Sequence, residues 1–240
     1  MAVEVLEQLY EGKAKKVFKT SDDALYMVEY KDDATAFNGE KRGTIEGKGV
    51  INNKMSAMLF KELEKQGIET HLVEFVDDTH QLVKRVEIVP LEVIARNVIA
   101  GSLSKRVGRR EGEVLPQPIL EFSYKNDDLG DPMINRFHAT ALGLATDEEI
   151  DNIIAQALKI NELLQAIFDK ANLVLVDFKL EFGRTPDGKI ILADEISPDT
   201  CRLWDKDTHE KLDKDRFRRD LGGVEEAYIE VYNRLKNIGL

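Results

Sequence analysis

The chain has 240 residues, 42% hydrophobic and 33% charged, with a formal net charge of −11, which fits a soluble protein of one large domain or two small lobes with a real core. An acidic surface repels a nucleic-acid backbone, so general nucleic-acid binding is excluded, while a local basic pocket can still hold a small anion. No apolar run approaches ~20 residues, so no membrane span is expected.

Leu9-Tyr10 and Val17-Phe18 flank a basic turn, Glu11-Gly12-Lys13-Ala14-Lys15-Lys16, and 24–30 reads as another strand. Residues 31–49, polar with four glycines, read as a long loop and a lid candidate. Residues 50–66 read as a helix, with Ile51, Met55, Leu59 and Leu63 on one face. Residues 70–76 and 81–86 read as an antiparallel pair. Glu87-Ile88-Val89-Pro90 marks a lobe boundary, because Pro90 cannot donate to a ladder. The division gives a strand-rich N-terminal lobe, 1–86, and a C-terminal lobe, 87–240. In the second lobe 91–98 continues as strand, 101–112 is basic, and Pro116 and Pro118 read as irregular chain. Thr146-Asp147-Glu148-Glu149 is a capping box that starts a helix to about Ala171. A strand through Asp177, the turn Thr185-Pro186-Asp187-Gly188, a strand over 189–196 and a helix over 224–235 follow.

The single cysteine, Cys201, allows no internal disulfide and favours a reducing cytoplasm. Met1-Ala2-Val3-Glu4 carries neither a basic segment nor an apolar core, so no export signal is expected. The four histidines, His71, His80, His138 and His209, show no metal-ligand spacing.

The densest chemistry lies in Leu175-Val176-Asp177-Phe178-Lys179-Leu180-Glu181-Phe182-Gly183, followed by Asp194-Glu195. Charge at Asp177, Lys179 and Glu181 alternates with Val176, Phe178, Leu180 and Phe182, a strand with one oily and one charged face. Such a face suits Mg²⁺ and polyphosphate, because Mg²⁺ takes hard carboxylate oxygens and shares them with phosphates; a solvated strand with a cross-strand ion pair reads the same. The Gly12-Lys13-Ala14-Lys15 turn lets backbone N–H groups and two ammonium groups approach an anion, and a solvated lysine turn has the same sequence. It is not a Walker A loop. Arg96 can grip a carboxylate or phosphate in bidentate fashion beside Gly101-Ser102, or pair with Glu92 on its own strand face. Ser197-Pro198-Asp199-Thr200-Cys201-Arg202 can form a local capped turn, or place Asp199 and Arg202 beside the metal.

These segments, taken together, resemble the SAICAR synthetase family of purine biosynthesis. The resemblance is carried by I-V-P-L-E-V-I-A-R-N-V-I-A-G-S from Ile88, L-V-D-F-K-L-E-F-G from Leu175 and D-E-I-S-P-D-T-C-R-L-W-D from Asp194. Y-E-G-K-A-K, K-G-V-I-N-N-K from Lys48 and Y-K-N-D-D-L-G-D-P-M-I-N from Tyr124 agree as well, so the resemblance covers almost the whole chain. It implies an α+β, two-lobed fold: an antiparallel N-terminal lobe and a larger α/β C-terminal lobe, with ATP between them. It implies ligation of L-aspartate to carboxyaminoimidazole ribotide (CAIR) with ATP and Mg²⁺, giving SAICAR, ADP and phosphate, in a homodimer or larger assembly. By the resemblance Gly12, Lys13, Ala14, Lys15, Lys84 and Lys125 meet the nucleotide, and Glu181 and Asp194 hold nucleotide and metal. Arg96, Gly101, Ser102, Asp199 and Arg202 meet the ribotide, and Lys13, Lys125, Asp177, Lys179 and Asp199 form the catalytic set. Many members have S-A-F-D or S-A-G-D where this chain has Thr35-Ala36-Phe37-Asn38; Asn38 lacks the charge, which puts a role needing an anion there in question. Two other readings compete: a small-molecule kinase, against which stands the lack of H-R-D and D-F-G, and a nucleotide sensor without turnover.

Overall fold

The computed structural model describes residues 3–36 and 39–240, so Asn38 lies outside the described residues. β1 (Val5–Glu11), β2 (Lys15–Thr20) and β3 (Leu25–Tyr30) form a meander. β4 (Asp33–Ala36) pairs with β5 (Lys41–Thr44), and α1 (Lys48–Lys65) leads to β6 (Leu72–Phe75) and β7 (His80–Lys84). The first sheet is antiparallel, in the order β1-β2-β3-β7-β6.

The long loop expected over 31–49 is corrected by this structure, because β4 and β5 make a ribbon there. Their alternation was hard to see because its buried members are alanines, Ala34 and Ala36. Lys15 also belongs to β2 and not to the turn. Helix α1 starts at Lys48, because the Asp32 carboxylate accepts from the N–H groups of Gly47 (3.1 Å) and Gly49 (2.8 Å). Those donors have no partner within the helix.

The rest of the chain builds β8 (Glu87–Ile88), β9 (Leu91–Val98), α2 (Gly101–Val107), β10 (Val114–Tyr124) and β11 (Met133–Ile134). Next come α3 (Arg136–Ala141), α4 (Asp147–Lys170), β12 (Leu173–Arg184) and β13 (Ile190–Ala193). β14 (Cys201–Asp205), α5 (Asp215–Arg218) and α6 (Val224–Asn237) complete the fold. β12 is the spine of a seven-stranded sheet. Its first half pairs with β9 and β14, its second half with β8 and β13. Pro116 and Pro118, expected in irregular chain, lie inside β10. They fall where its ladder with β9 shifts register, between Val114 and Ile119, so their missing N–H groups leave no ladder bond broken.

Helix α4 starts at the expected capping box and buries Ile150, Ile153, Ala157, Leu164 and Phe168 against β12. A bulge between Leu175 and Asp177 corrects the simple alternation of β12. Leu175 and Phe178 both join the main core, while Val176 packs with Val98, Ala100 and Trp204 in a separate cluster. The bulge also sets Asp177, Lys179 and Glu181 toward the cleft between the two sheets, which all three line.

Candidate active site

A cleft of about 1060 Å³ is lined by both sheets, room enough for more than one small ligand. On the side of the first sheet, Val17, Tyr26, Val28 and Val83 make an apolar wall from paired positions of β2, β3 and β7. Gly12, Lys13, Ala14 and Lys15 line one end. Lys84 lines the cleft too, its ammonium donating to the Thr70 carbonyl at 3.0 Å.

Facing that wall is a cluster of lysines and acids. Lys179, from the middle of β12, contacts Glu181 and also reaches Asp194 (3.2 Å) and Glu92 (3.4 Å). Lys125 donates to Glu181 at 3.0 Å. Lys15 contacts Asp194 and lies 3.1 Å from Glu195. Glu181 and Asp194 thus converge on one ammonium, and Asp194 caps the end of β13 with φ +59°. Burial alone would lower Lys15 and Lys179, but the acids outweigh it and hold both above the ordinary lysine value. Burial likewise works against Asp194, yet Lys15 and Lys179 keep its carboxyl well below the usual range. Lys13 reaches outward to Asp127 at 2.6 Å. Burial, with Lys15 next, pushes His71 down to about 4, so this ring at the back of the cleft is neutral.

Strand register builds the second cluster. Asp177 stands opposite Arg96 on β9 and opposite Arg202 on β14. Its carboxylate accepts from Arg96 Nη1 (2.7 Å) and from Arg202 Nη1 (2.9 Å). Glu121 takes Arg96 Nε at 2.7 Å, and Asp215 takes Arg202 Nε at 3.0 Å. The pairing of Arg96 with Glu92 is therefore not formed; Glu92 serves Lys179. Ser102 Oγ sits 3.4 Å from Arg96 Nη2. Both arginines line the cleft, with their guanidinium groups held by carboxylates on two sides, and guanidinium is the group suited to phosphate or carboxylate.

The third cluster lies at the far end. Asp199 accepts from Lys48 Nζ (2.8 Å) and Tyr228 Oη (2.6 Å), with Lys214 at 3.7 Å. Burial works against its charge, but Lys214 and Lys48 hold the carboxyl far below the ordinary value.

Among the described residues no three His, Cys, Asp or Glu side chains gather as a metal-holding group. An ion here would take Glu181 and Asp194 from the protein and its remaining oxygens from water and ligand. That is a donor set Mg²⁺ accepts.

The family model for SAICAR synthetase matches residues 8–235. The chain belongs to the SAICAR synthetase family. A phosphoribosylaminoimidazole-succinocarboxamide synthase of Lachnoclostridium phytofermentans is 65% identical, over 96% of this chain and 97% of its own. That of Coprothermobacter proteolyticus is 61% identical over 97% and 99%. The crystal structure of the Ehrlichia chaffeensis synthase superposes with a TM-score of 0.94 at 45% identity, covering 96% of this chain and 98% of its own. A SAICAR synthetase in complex with ADP gives 0.93 at 51% identity, with the same coverage. The activity is that of an ATP-dependent carboxylate–amine ligase joining L-aspartate to CAIR in purine biosynthesis.

In this SAICAR synthetase cleft the structure gathers every expected site residue except Gly101, which stands behind Arg202 rather than on the cleft surface. A Cβ on Gly101, at φ +53°, would lie 2.5 Å from the Arg202 guanidinium. Gly101→Ala should therefore tilt Arg202 and lower kcat/KM for CAIR by about 10²-fold; unchanged kinetics would show that Arg202 tolerates the shift. Sequence reasoning missed Glu121, Asp215, Lys48 and Tyr228 as partners. Each comes from a distant segment, and only Lys48 lay inside a quoted motif.

Proposed function

We propose that the cleft divides its work among the three clusters. The nucleotide base lies against Val17, Val28 and Val83, and its phosphates meet Gly12, Lys13, Ala14, Lys15 and Lys125. Lys84 sits beside the base. Glu181 and Asp194 hold a Mg²⁺ that neutralises phosphate charge and orients the transferred group. Arg96, Arg202 and Ser102 hold the ribotide, with Asp177 locking the two arginines and Gly101 leaving room for Arg202. Lys179, between the acids and the arginines, stands where the carboxylate of CAIR meets the terminal phosphate. Asp199, lining the same cleft, joins the ribotide-binding and catalytic set.

Overall, a P–O bond of ATP breaks and a carboxylate oxygen of CAIR leaves as phosphate. A C–N bond forms to the aspartate nitrogen, which gives up its proton. A carboxylate repels an incoming amine, so the protein's share is to neutralise charge and align the reactants. The observation that carries this reading is the convergence of Lys15, Lys125 and Lys179 on Glu181 and Asp194, one strand register from the Arg96–Asp177–Arg202 set. We place the lobe boundary between 86 and 87, where the chain leaves the first sheet for the second, and propose a cytoplasmic homodimer.

The test is incubation of pure protein with MgATP, CAIR and L-aspartate, each omitted in turn, with the product identified by mass. SAICAR should form only with all three. Phosphate release without aspartate would point to a kinase, and binding without turnover to a sensor.

A further inference from the structure

Asp213 stands between β14 and α5 and is fully buried. Both of its carboxylate oxygens go to the backbone. Oδ2 accepts from the Leu203 N–H at 2.8 Å, and Oδ1 accepts from the Asp215 N–H at 2.7 Å. Leu203 follows Arg202 on β14, and Asp215 opens α5. One carboxylate therefore fixes the distance between the strand that carries Arg202 and the acid that holds it. Asp215, itself buried, takes Arg202 Nε at 3.0 Å and Arg218 Nη1 at 2.7 Å, with Arg219 at 3.5 Å. Two backbone bonds brace the same segment, from the Leu212 N–H to the Leu203 carbonyl at 2.8 Å and from the Lys214 N–H to the Pro198 carbonyl at 3.1 Å. An acid is costly here, because it lies away from water and makes no salt bridge among the described residues. Burial, with the Asp215 charge next, pushes its carboxyl up to about 7, against the pull of the two N–H groups and of Arg218. Asparagine has the same shape, but its NH₂ group would face one of the two N–H donors. A carboxylate accepts from both.

We propose that Asp213 is a positioning residue for ribotide binding: it seats Asp215 against β14, so that the Asp215 carboxylate holds Arg202 in the orientation that receives CAIR. The proposal rests on the reading of Arg202 as a ribotide-binding residue.

The test measures kcat/KM for CAIR by steady-state kinetics and MgADP affinity by calorimetry. It uses the unaltered chain, D213N, D213S, R202M and the double variants D213N/R202M and D213S/R202M, with thermal unfolding as the check on folding. Arg202→Met leaves Asp177 with Arg96 and Asp215 with Arg218, so neither acid is stranded. D213N and D213S should lower kcat/KM for CAIR by about 10-fold and leave MgADP affinity unchanged. In the R202M background neither should lower it further, because the guanidinium through which Asp213 acts is gone. Unchanged CAIR kinetics in D213N and D213S, an equal loss of MgADP affinity, or a full further loss on top of R202M would overturn the role. Failure of both single variants to fold would overturn it too, since Asp213 would then support the fold as a whole. If R202M handles CAIR as the unaltered chain does, the Arg202 reading falls and takes this role with it. If R202M is impaired and the Asp213 variants are not, the role of Asp213 falls alone.

Discussion

Glu181→Gln should lower kcat by about 10²–10³-fold at saturating MgATP, the usual cost of removing one charge-stabilising group from a preorganised site. The fold should stand. Glutamine keeps the shape and one acceptor oxygen, and neither lysine is stranded. Lys179 retains Asp194 at 3.2 Å and Glu92 at 3.4 Å, and Lys125 is 42% exposed and can turn to water. What is lost is an anion in a buried position, where the surrounding low dielectric magnifies its effect on the ion and the phosphates. The loss should persist in kcat at saturating MgATP, and the KM for MgATP should rise as well, because Glu181 shares the ion with the phosphates. Steady-state kinetics and a thermal unfolding midpoint separate the two effects. Near-normal turnover would contradict the metal assignment.

The chemistry was legible where it sits in contiguous strands. Asp177, Lys179 and Glu181 share a face by period two, and the structure turns that face to the cleft. Roles within that face came through the family resemblance, since alternation alone does not separate a metal site from a solvated ion pair. The partners were not legible. Lys48 and Asp199 are 151 residues apart and Arg96 and Asp177 are 81 apart, so only strand register and helix placement bring them together. Asp32 capping α1 from outside the helix is the same kind of fact. The ribbon at β4 and β5 escaped for a local reason: a strand whose inward residues are alanines has little hydrophobic contrast to read. The bulge in β12 escaped because one extra residue shifts the alternation without leaving a mark in composition.

The largest effect on stability should come from Asp199, and it should be asymmetric. Lys48 is 0% exposed at its side chain and Asp199 5%, and removing one partner of a buried pair typically costs about 3–5 kcal/mol. Asp199→Ala leaves Lys48 a buried cation with no other carboxylate against it, so the full cost should appear, a fall of roughly 6–20 °C in Tm for a chain of this size. Lys48→Met should cost less, because Asp199 keeps Tyr228 Oη at 2.6 Å and Lys214 at 3.7 Å, and methionine fills the space of the lysine stem. The pH dependence carries the same sign. The Asp199 carboxyl is held well below its ordinary value in the fold, against about 3.9 when unfolded. Its contribution is therefore present above that unfolded value and is lost as pH falls below it toward the depressed one. Asp194 adds a second contribution of the same sign. The unaltered chain should lose stability steeply below about pH 4, and Asp199→Ala should flatten that slope while lowering stability at neutral pH. Denaturant unfolding of both variants between acid and neutral pH gives the comparison. Equal losses for the two would mean that Tyr228 and Lys214 do not support the carboxylate on their own, and that the pair acts as a closed unit.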